Sequence, residues 1–129
     1  MTRDKGIKSL PALIVVDFEI DAAMVFLSIR NTGDTAAINL KIKPSVPIIG
    51  LNGKKDLSEL EIFKEISYMA PLKEFRIFVD SYDSFFRHLK KTQIGFNISY
   101  QDENDMSYKK KITHDLKIYS DLIFFIKKS

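Results

Sequence analysis

Hydrophobic and polar residues alternate along most of this chain, in short runs that are separated by turn residues. Ile38, Leu40 and Ile42, for example, alternate with polar side chains. A period of two places successive side chains on opposite faces of a β-strand. Similar runs occupy residues 12–20, 25–30, 75–80, 94–100 and 107–118. The pattern therefore predicts an all-β protein whose strands each have one buried and one exposed face.

Turn residues divide these runs at regular intervals. Asn31 to Asp34 and Asn52-Gly53 predict turns because Asn and Gly tolerate positive φ, and Pro44 and Pro47 end the third strand. About seven strands of this length predict an immunoglobulin-like, two-sheet antiparallel β-sandwich. We expect one such domain over residues 1–129, with one short helical turn.

Two segments depart from the alternation. Ser58 and Glu61 match the capping box of a helix, but the neighbouring apolar residues also fit a strand. We favour a turn followed by a strand from about Ile62 to Tyr68. The segment 81–91 predicts the helical turn, which Asp83 would cap.

Composition narrows the classes of function. The 129 residues are 45% hydrophobic and 29% charged, as in an ordinary folded domain. The absence of cysteine excludes a disulfide framework, a thiolate metal site and a cysteine nucleophile. The net charge of +3 is spread along the chain. No signal peptide and no run near the ~20 apolar residues of a membrane span is present, so we expect a cytoplasmic protein, with membrane association as the alternative.

Three segments carry structural motifs. Ile29–Leu40 has the pattern N-x-G-x-x-x-A-x-N, Ile66–Phe75 contains a proline corner, and Ile98–Tyr108 has an I-x-Y-x-D hairpin. Together they resemble the immunoglobulin-like adhesion and scaffold domains of bacteria and archaea that include CARDB-type modules. Leu72 departs from the pattern, because the corner usually has glycine there. The resemblance implies a sandwich without catalytic residues, often within a membrane-anchored parent protein.

Candidate chemistry is sparse. His88 and His114 lack the further ligands that a zinc site needs, so we predict no metal and no cofactor. We expect His88 to be exposed and His114 to contact Asp115. The acidic tip 102–105 offers oxygen ligands for calcium, but such residues also favour turns, and we favour a solvated hairpin. No nucleophile elbow or phosphate loop is present, so we do not expect an enzyme.

Basic residues form a candidate binding site for phosphates. The nearby Tyr100 and Tyr108 offer stacking surfaces for nucleic-acid bases. Lysines also protect edge strands from unwanted pairing, and alternation turns the middle one of three away from its neighbours. We therefore keep nucleic-acid or anionic-lipid binding as the alternative hypothesis, with nucleic acid disfavoured. The proposed basic patch comprises Arg87, Lys90, Lys91, Lys109, Lys110 and Lys111.

Five consecutive apolar residues near the C-terminus are too few to span a bilayer. They predict either a last element packed on the sandwich or an exposed anchor for a partner or a membrane surface. Our leading hypothesis is a non-catalytic interaction or accessory domain. It binds a protein partner, or a second copy of itself, through a sheet edge or through this segment, Leu122, Ile123, Phe124, Phe125 and Ile126.

Overall fold

A computed structural model describes residues 10–121 of the chain. In this part the chain forms nine β-strands, two short α-helices and two 3-10 turns. The 3-10 turns are Leu57–Glu59 and Leu116–Tyr119. The other elements are β1 (Ile14–Asp21), β2 (Met24–Asn31), β3 (Ala37–Pro44), β4 (Ile49–Gly50), β5 (Lys55–Asp56), α1 (Glu61–Lys64), β6 (Ile66–Met69), β7 (Glu74–Ser81), α2 (Tyr82–His88), β8 (Gln93–Gln101) and β9 (Ser107–Asp115).

The seven longer strands form two antiparallel sheets that pack face to face. One sheet has the order β1-β2-β7, and the other has the order β6-β3-β8-β9. The two-residue strands β4 and β5 pair only with each other. This arrangement confirms the prediction of an all-β, two-sheet antiparallel sandwich with about seven strands.

The core lies between the sheets and is built by the alternation seen in the sequence. On β1, Ile14, Val16 and Phe18 are buried, and residues two apart on the facing strands are buried in the same way. Burying a side chain of this size contributes about 1.5–3 kcal/mol. Phe18 packs on Phe96 of the opposite sheet, with their ring centroids 6.0 Å apart.

Asn31 joins three parts of the fold through its buried side chain, which is 1% exposed. Its Oδ1 accepts hydrogen bonds from the amides of Leu13, at 3.2 Å, and Gly33, at 3.0 Å. Its Nδ2 donates to the carbonyl oxygens of Thr35, at 2.9 Å, and Met69, at 3.2 Å. The side chain thus ties the lead into β1 and the end of β2 to β6 of the other sheet.

Two further hydrogen bonds cross between the sheets along the edge of β1. The Tyr100 hydroxyl donates to the carbonyl oxygen of Ala12 at 2.6 Å. The His114 Nε2 lies 2.7 Å from the carbonyl oxygen of Val16, and it must carry the proton because a carbonyl can only accept. Burial raises the pKa of the Tyr100 hydroxyl. The hydroxyl therefore stays a donor across the physiological pH range.

The ambiguous segment after β5 differs from the prediction. The strand predicted from about Ile62 begins only at Ile66, because α1 occupies Glu61–Lys64. The alternative interpretation, a helix capped by Ser58, does not form either. Asp56 caps the 3-10 turn Leu57–Glu59 by accepting from the Ser58 amide at 3.0 Å, whereas the first turn of α1 has no side-chain cap.

Two element ends also differ from the prediction. The N-cap of α2 is Ser81, whose Oγ accepts from the Ser84 amide at 3.3 Å, and not Asp83. The last strand, predicted to continue to Ile118, ends at Asp115. There the Asp115 carboxylate accepts from the Lys117 amide and starts a 3-10 turn.

The turns form where the sequence predicts them, but for partly different reasons. Gly33 does not adopt positive φ; it is required because a Cβ there would lie 1.9 Å from the Pro11 carbonyl oxygen. Conversely, Ala22 and Ala23 adopt φ of 52° and 62° between β1 and β2. Leu72, at the corner where the resemblance expects glycine, has φ of 65° and is 82% exposed.

No helix within residues 10–121 is long and apolar enough to cross a membrane. The predicted docking segment, Leu122 to Ile126, lies outside the described residues, so its role stays a prediction.

We predict that Asn31→Ala lowers the free energy of unfolding by about 3 kcal/mol or more, because it leaves several buried backbone groups without a partner. Urea denaturation monitored by circular dichroism measures the change. Asn97→Ala, at an exposed position on β8, serves as the control and is expected to change the same quantity by less than about 0.5 kcal/mol. Equal stabilities of the two variants would contradict this role of Asn31.

We predict that Leu72→Gly stabilises the fold by about 0.5 kcal/mol and that Leu72→Val destabilises it. Glycine adopts positive φ without the penalty of about 1–2 kcal/mol that a Cβ incurs, and this gain exceeds the added entropy of the unfolded chain. A β-branched residue increases the strain. Thermal unfolding of both variants checks the order; a Val variant more stable than the Gly variant would contradict it.

Candidate functional site

The outer face of the four-stranded sheet carries an exposed group of lysines. Alternation turns the apolar residues of β3 into the core, so the polar residues between them point outward. The same alternation on β9 exposes two of its three consecutive lysines. Polar residues of β8 lie between the two strands. We call this surface the lysine face: Lys41, Lys43, Asn97, Ser99, Lys109 and Lys111.

Strand pairing sets the spacing of the lysine face. One row across the sheet joins Lys41 to Lys109 through Ser99, and the next joins Lys43 to Lys111 through Asn97. Neighbouring strands lie about 4.8 Å apart, and residues two apart on one strand are separated by about 7 Å. The four lysine Cα positions therefore mark the corners of a rectangle of roughly 7 by 10 Å.

The positive charge of the lysine face is not neutralised locally. Among residues 10–121, none of the four lysines has a carboxylate oxygen within 4.0 Å of its ammonium nitrogen. Lys41, Lys43 and Lys109 help to line a shallow depression of about 520 Å³. Long lysine side chains keep their ammonium groups in water, so the surface can accept an anion without first breaking an ion pair.

The opposite outer face of the sandwich has the reverse charge. Alternation directs Asp17, Glu19 and Asp21 outward along β1; the first two are half-buried and Asp21 is exposed. Arg76 on β7 bonds Glu19 at 3.0 Å and lies 3.5 Å from the Asp21 carboxylate. With Glu74 and Arg30 on the same face, carboxylates outnumber guanidinium groups by four to two. An anionic partner is therefore attracted to one face of the sandwich and repelled by the other.

The structure divides the basic patch predicted from the sequence. Lys109 and Lys111 belong to the lysine face, but Lys110 lies on the inner side of β9, opposite the buried Ile98, as the alternation predicted. Burial lowers the pKa of the Lys110 ammonium. The remaining three residues, Arg87, Lys90 and Lys91, lie at and beyond the end of α2.

Sequence reasoning missed Lys41 and Lys43 as members of the site. The signal was present, because both alternate with Leu40 and Ile42 in a clean half-buried strand. What the sequence did not give was the strand order, which brings β3 and β9 to either side of β8.

The aromatic residues considered for base stacking point into the protein. Tyr100 is 5% exposed and stacks on Tyr108, with ring centroids 5.2 Å apart and planes inclined by 23°. The Tyr108 hydroxyl donates to the Asp102 carboxylate at 2.8 Å, and this bond raises the pKa of the Tyr108 hydroxyl. Neither ring is available to a nucleobase on the lysine face.

The acidic tip between β8 and β9 is organised around Asp102, which is 4% exposed. Its Oδ1 accepts from the amides of Asn104, at 2.8 Å, and Met106, at 3.0 Å. Burial alone raises the pKa of the Asp102 carboxyl, but these bonds and that from Tyr108 outweigh it, so the pKa lies below its usual value. The carboxylate that a cation would need is thus engaged in closing the hairpin.

The two histidines have structural partners. His114 was predicted to contact Asp115, but its Nδ1 lies 3.9 Å from Asp17 and its ring faces inward. His88 was predicted to be exposed, but it is half-buried against Gly53, and its Nδ1 lies 2.8 Å from the Ser84 carbonyl oxygen. No group of three or more potential metal ligands occurs within the described part of the chain.

These features define an all-β sandwich with one basic and one acidic outer face. The chain belongs to the family described as domain of unknown function DUF8453, whose model matches residues 3–120. No curated protein and no solved structure gives a significant match to the chain.

We predict that Asp102→Asn reduces stability at pH 7 and that the difference from the natural protein shrinks in acid. A carboxyl whose pKa is lowered by folding stabilises the protein above its unfolded pKa of about 3.9, and this contribution is lost as pH falls through the folded value. Urea midpoints at pH 7 and near pH 3 measure the effect. Asp105→Asn, at the exposed tip, is the control; a pH-independent difference for Asp102→Asn would contradict the assignment.

Proposed function

We propose that this protein is a non-catalytic interaction domain that holds an acidic protein partner on its lysine face. The observation that carries the proposal is the uncompensated group of Lys41, Lys43, Lys109 and Lys111 on one regular sheet surface. Four cations whose Cα positions lie on a rectangle of roughly 7 by 10 Å act together on a polyanion, although each exposed pair contributes only about 0.2–1 kcal/mol.

The charge difference between the two outer faces supports an oriented encounter. The carboxylates along β1 repel an acidic partner, while the lysine face attracts it, and steering of this kind raises the association rate. The partner then meets a shallow depression, between whose lysines Asn97 and Ser99 offer hydrogen bonds to carboxylate and amide groups. The surface thus combines charge selection with polar contacts.

An acidic protein fits this surface better than the other polyanions. Proteins that bind single-stranded nucleic acid use aromatic side chains on which the bases stack, but Tyr100 and Tyr108 stack on each other. Bidentate phosphate recognition relies on arginine, and the lysine face contains none. Binding to an anionic bilayer is strengthened by apolar side chains that insert, and the six residues of the face include no apolar one. Nucleic acid and lipid are therefore alternative outcomes of the test.

Three of the edge strands, β1, β7 and β9, are less suited to pairing with a partner strand. Lys110 on the inner side of β9 is a charge of the kind that blocks strand addition at an edge. His114 occupies the Val16 carbonyl oxygen on β1, Tyr100 occupies that of Ala12 just before β1, and the amide of Leu51 bonds the Val79 carbonyl oxygen on β7 at 2.9 Å. A docking role for Leu122 to Ile126 remains a separate prediction.

We also infer that the sandwich is immunoglobulin-like and of the CARDB type. The three resembling segments support this: the first spans the β2–β3 connection around Asn31, and the third spans the β8–β9 hairpin. In the second, Leu72 adopts the positive φ that glycine usually supplies at the corner. A solved structure of a family member with a different strand order would contradict the inference.

The test compares binding of a fluorescein-labelled poly-glutamate chain to the natural protein and to a variant with Lys41→Gln, Lys43→Gln, Lys109→Gln and Lys111→Gln. We expect the variant to lose affinity at least about tenfold, the equivalent of about 1.4 kcal/mol. Binding by the natural protein is expected to weaken steeply between low and physiological salt, because the contacts are exposed. Fluorescence anisotropy measures both effects.

A matched control removes the same charge elsewhere, with Lys54→Gln, Lys55→Gln, Lys73→Gln and Lys117→Gln at exposed positions. It should keep most of the affinity. Equal losses in the two variants would mean that net charge alone acts. Tighter binding of oligothymidylate or of phosphatidylserine vesicles than of poly-glutamate would replace the acidic protein with those partners.

A further inference from the structure

A second surface feature, separate from the lysine face, is an apolar pocket beside α2. Its volume is about 380 Å³, within the range of small-molecule sites. Ile48, Phe85 and Ile94, each 1% exposed, lie at its base. Val46 and Leu89 are half-buried at its sides. The pocket is therefore an open hydrophobic depression that connects with the core.

Hydrogen bonds hold the walls of the pocket in place. At one end of the β3–β4 connection, the Ser45 amide donates to the Gly95 carbonyl oxygen at 2.8 Å, and the Gly95 amide donates back to the Ser45 Oγ at 2.9 Å. At the other end, the Leu57 amide donates to the Ile48 carbonyl oxygen at 2.8 Å. Both ends of this wall are fixed, so a ligand need not order it, which favours binding.

The polar lining of the pocket is basic. Lys90 and Lys91 follow α2 at the mouth, and both are exposed. His88 is the remaining polar residue, and its Nδ1 is engaged with the Ser84 carbonyl oxygen. No acidic side chain lines the pocket, and neither lysine lies within 4.0 Å of a carboxylate among the described residues. An apolar interior with two cations at its mouth is complementary to an amphipathic anion.

We propose that this pocket binds a fatty carboxylate, with the acyl chain on Ile48, Phe85 and Ile94 and the carboxylate at Lys90 and Lys91. Charge distinguishes this ligand from the chain's own apolar segment after Asp121, because that segment leads directly into Lys127 and Lys128, which the two lysines at the mouth repel. It also distinguishes the ligand from a neutral hydrocarbon, which would leave the two ammonium groups without a partner.

Isothermal titration calorimetry with decanoate, at concentrations where it is monomeric, tests the proposal on the full chain. We expect saturable binding at one site and shifts of the Ile48 and Ile94 methyl signals in NMR spectra. Lys90→Gln with Lys91→Gln should raise the Kd for decanoate by about five- to tenfold, because two exposed ionic contacts are lost. The same variant should leave the weaker binding of decanol unchanged.

Three outcomes would overturn the proposal: no saturable binding of decanoate, equal affinity for decylammonium, or an equal loss of affinity in the control variant Lys54→Gln with Lys55→Gln. Val46→Trp, which fills the mouth from a half-buried position, provides an independent variant and should abolish binding while the circular dichroism spectrum is retained. The lysine-face variant should bind decanoate normally, so that failure of one proposal is distinguishable from failure of the other.

Discussion

The side chain of Asn31 is the polar contact on which the arrangement of the two sheets depends most. Apolar burial holds the sheets together but is not directional, so it does not set their register. Both the Oδ1 and the Nδ2 of the buried Asn31 side chain form hydrogen bonds with backbone groups, which lie before β1, after β2 and at the end of β6. The close contact of Gly33 with the Pro11 carbonyl follows from the same geometry. Directional bonds of this kind, together with those from Tyr100 and His114 to the Ala12 and Val16 carbonyl oxygens, position β1 against the opposite sheet.

The charges on the surface are a consequence of the register in which the strands pair. Because the pairing of β3, β8 and β9 is fixed, alternate lysines meet across Asn97 and Ser99, and the intervening residues enter the core. The same rule applied to β1 gives the acidic face. A shift of one residue in β3 would turn Lys41 and Lys43 inward, and the same shift in β9 would replace Lys109 and Lys111 on the lysine face with Lys110 alone. The proposed function therefore rests on backbone pairing as much as on the presence of lysine.

Sequence patterning predicted the strands well because alternation is a local property, and it also predicted that Lys110 would point away from its neighbours. It failed where contacts between residues far apart in the sequence determine the local structure. The glycine at 33 is explained by Pro11, and His114 faces Asp17 rather than Asp115; neither contact is visible without the tertiary fold. Alternation with Leu40 and Ile42 predicts that Lys41 and Lys43 are exposed, but their proximity to β9 depends on the strand order. The sequence thus indicates the exposed lysines of β3 and those of β9 separately, but not that the two pairs lie on one surface.

Mapping of backbone amide shifts during a titration with poly-glutamate tests the central claim most directly. If the lysine face is the docking surface, the largest shifts will fall on β3, β8 and β9 around Lys41, Asn97 and Lys109, and will diminish as salt is added. Shifts concentrated instead around Lys90 and Lys91, or spread evenly over all exposed lysines, would contradict the account.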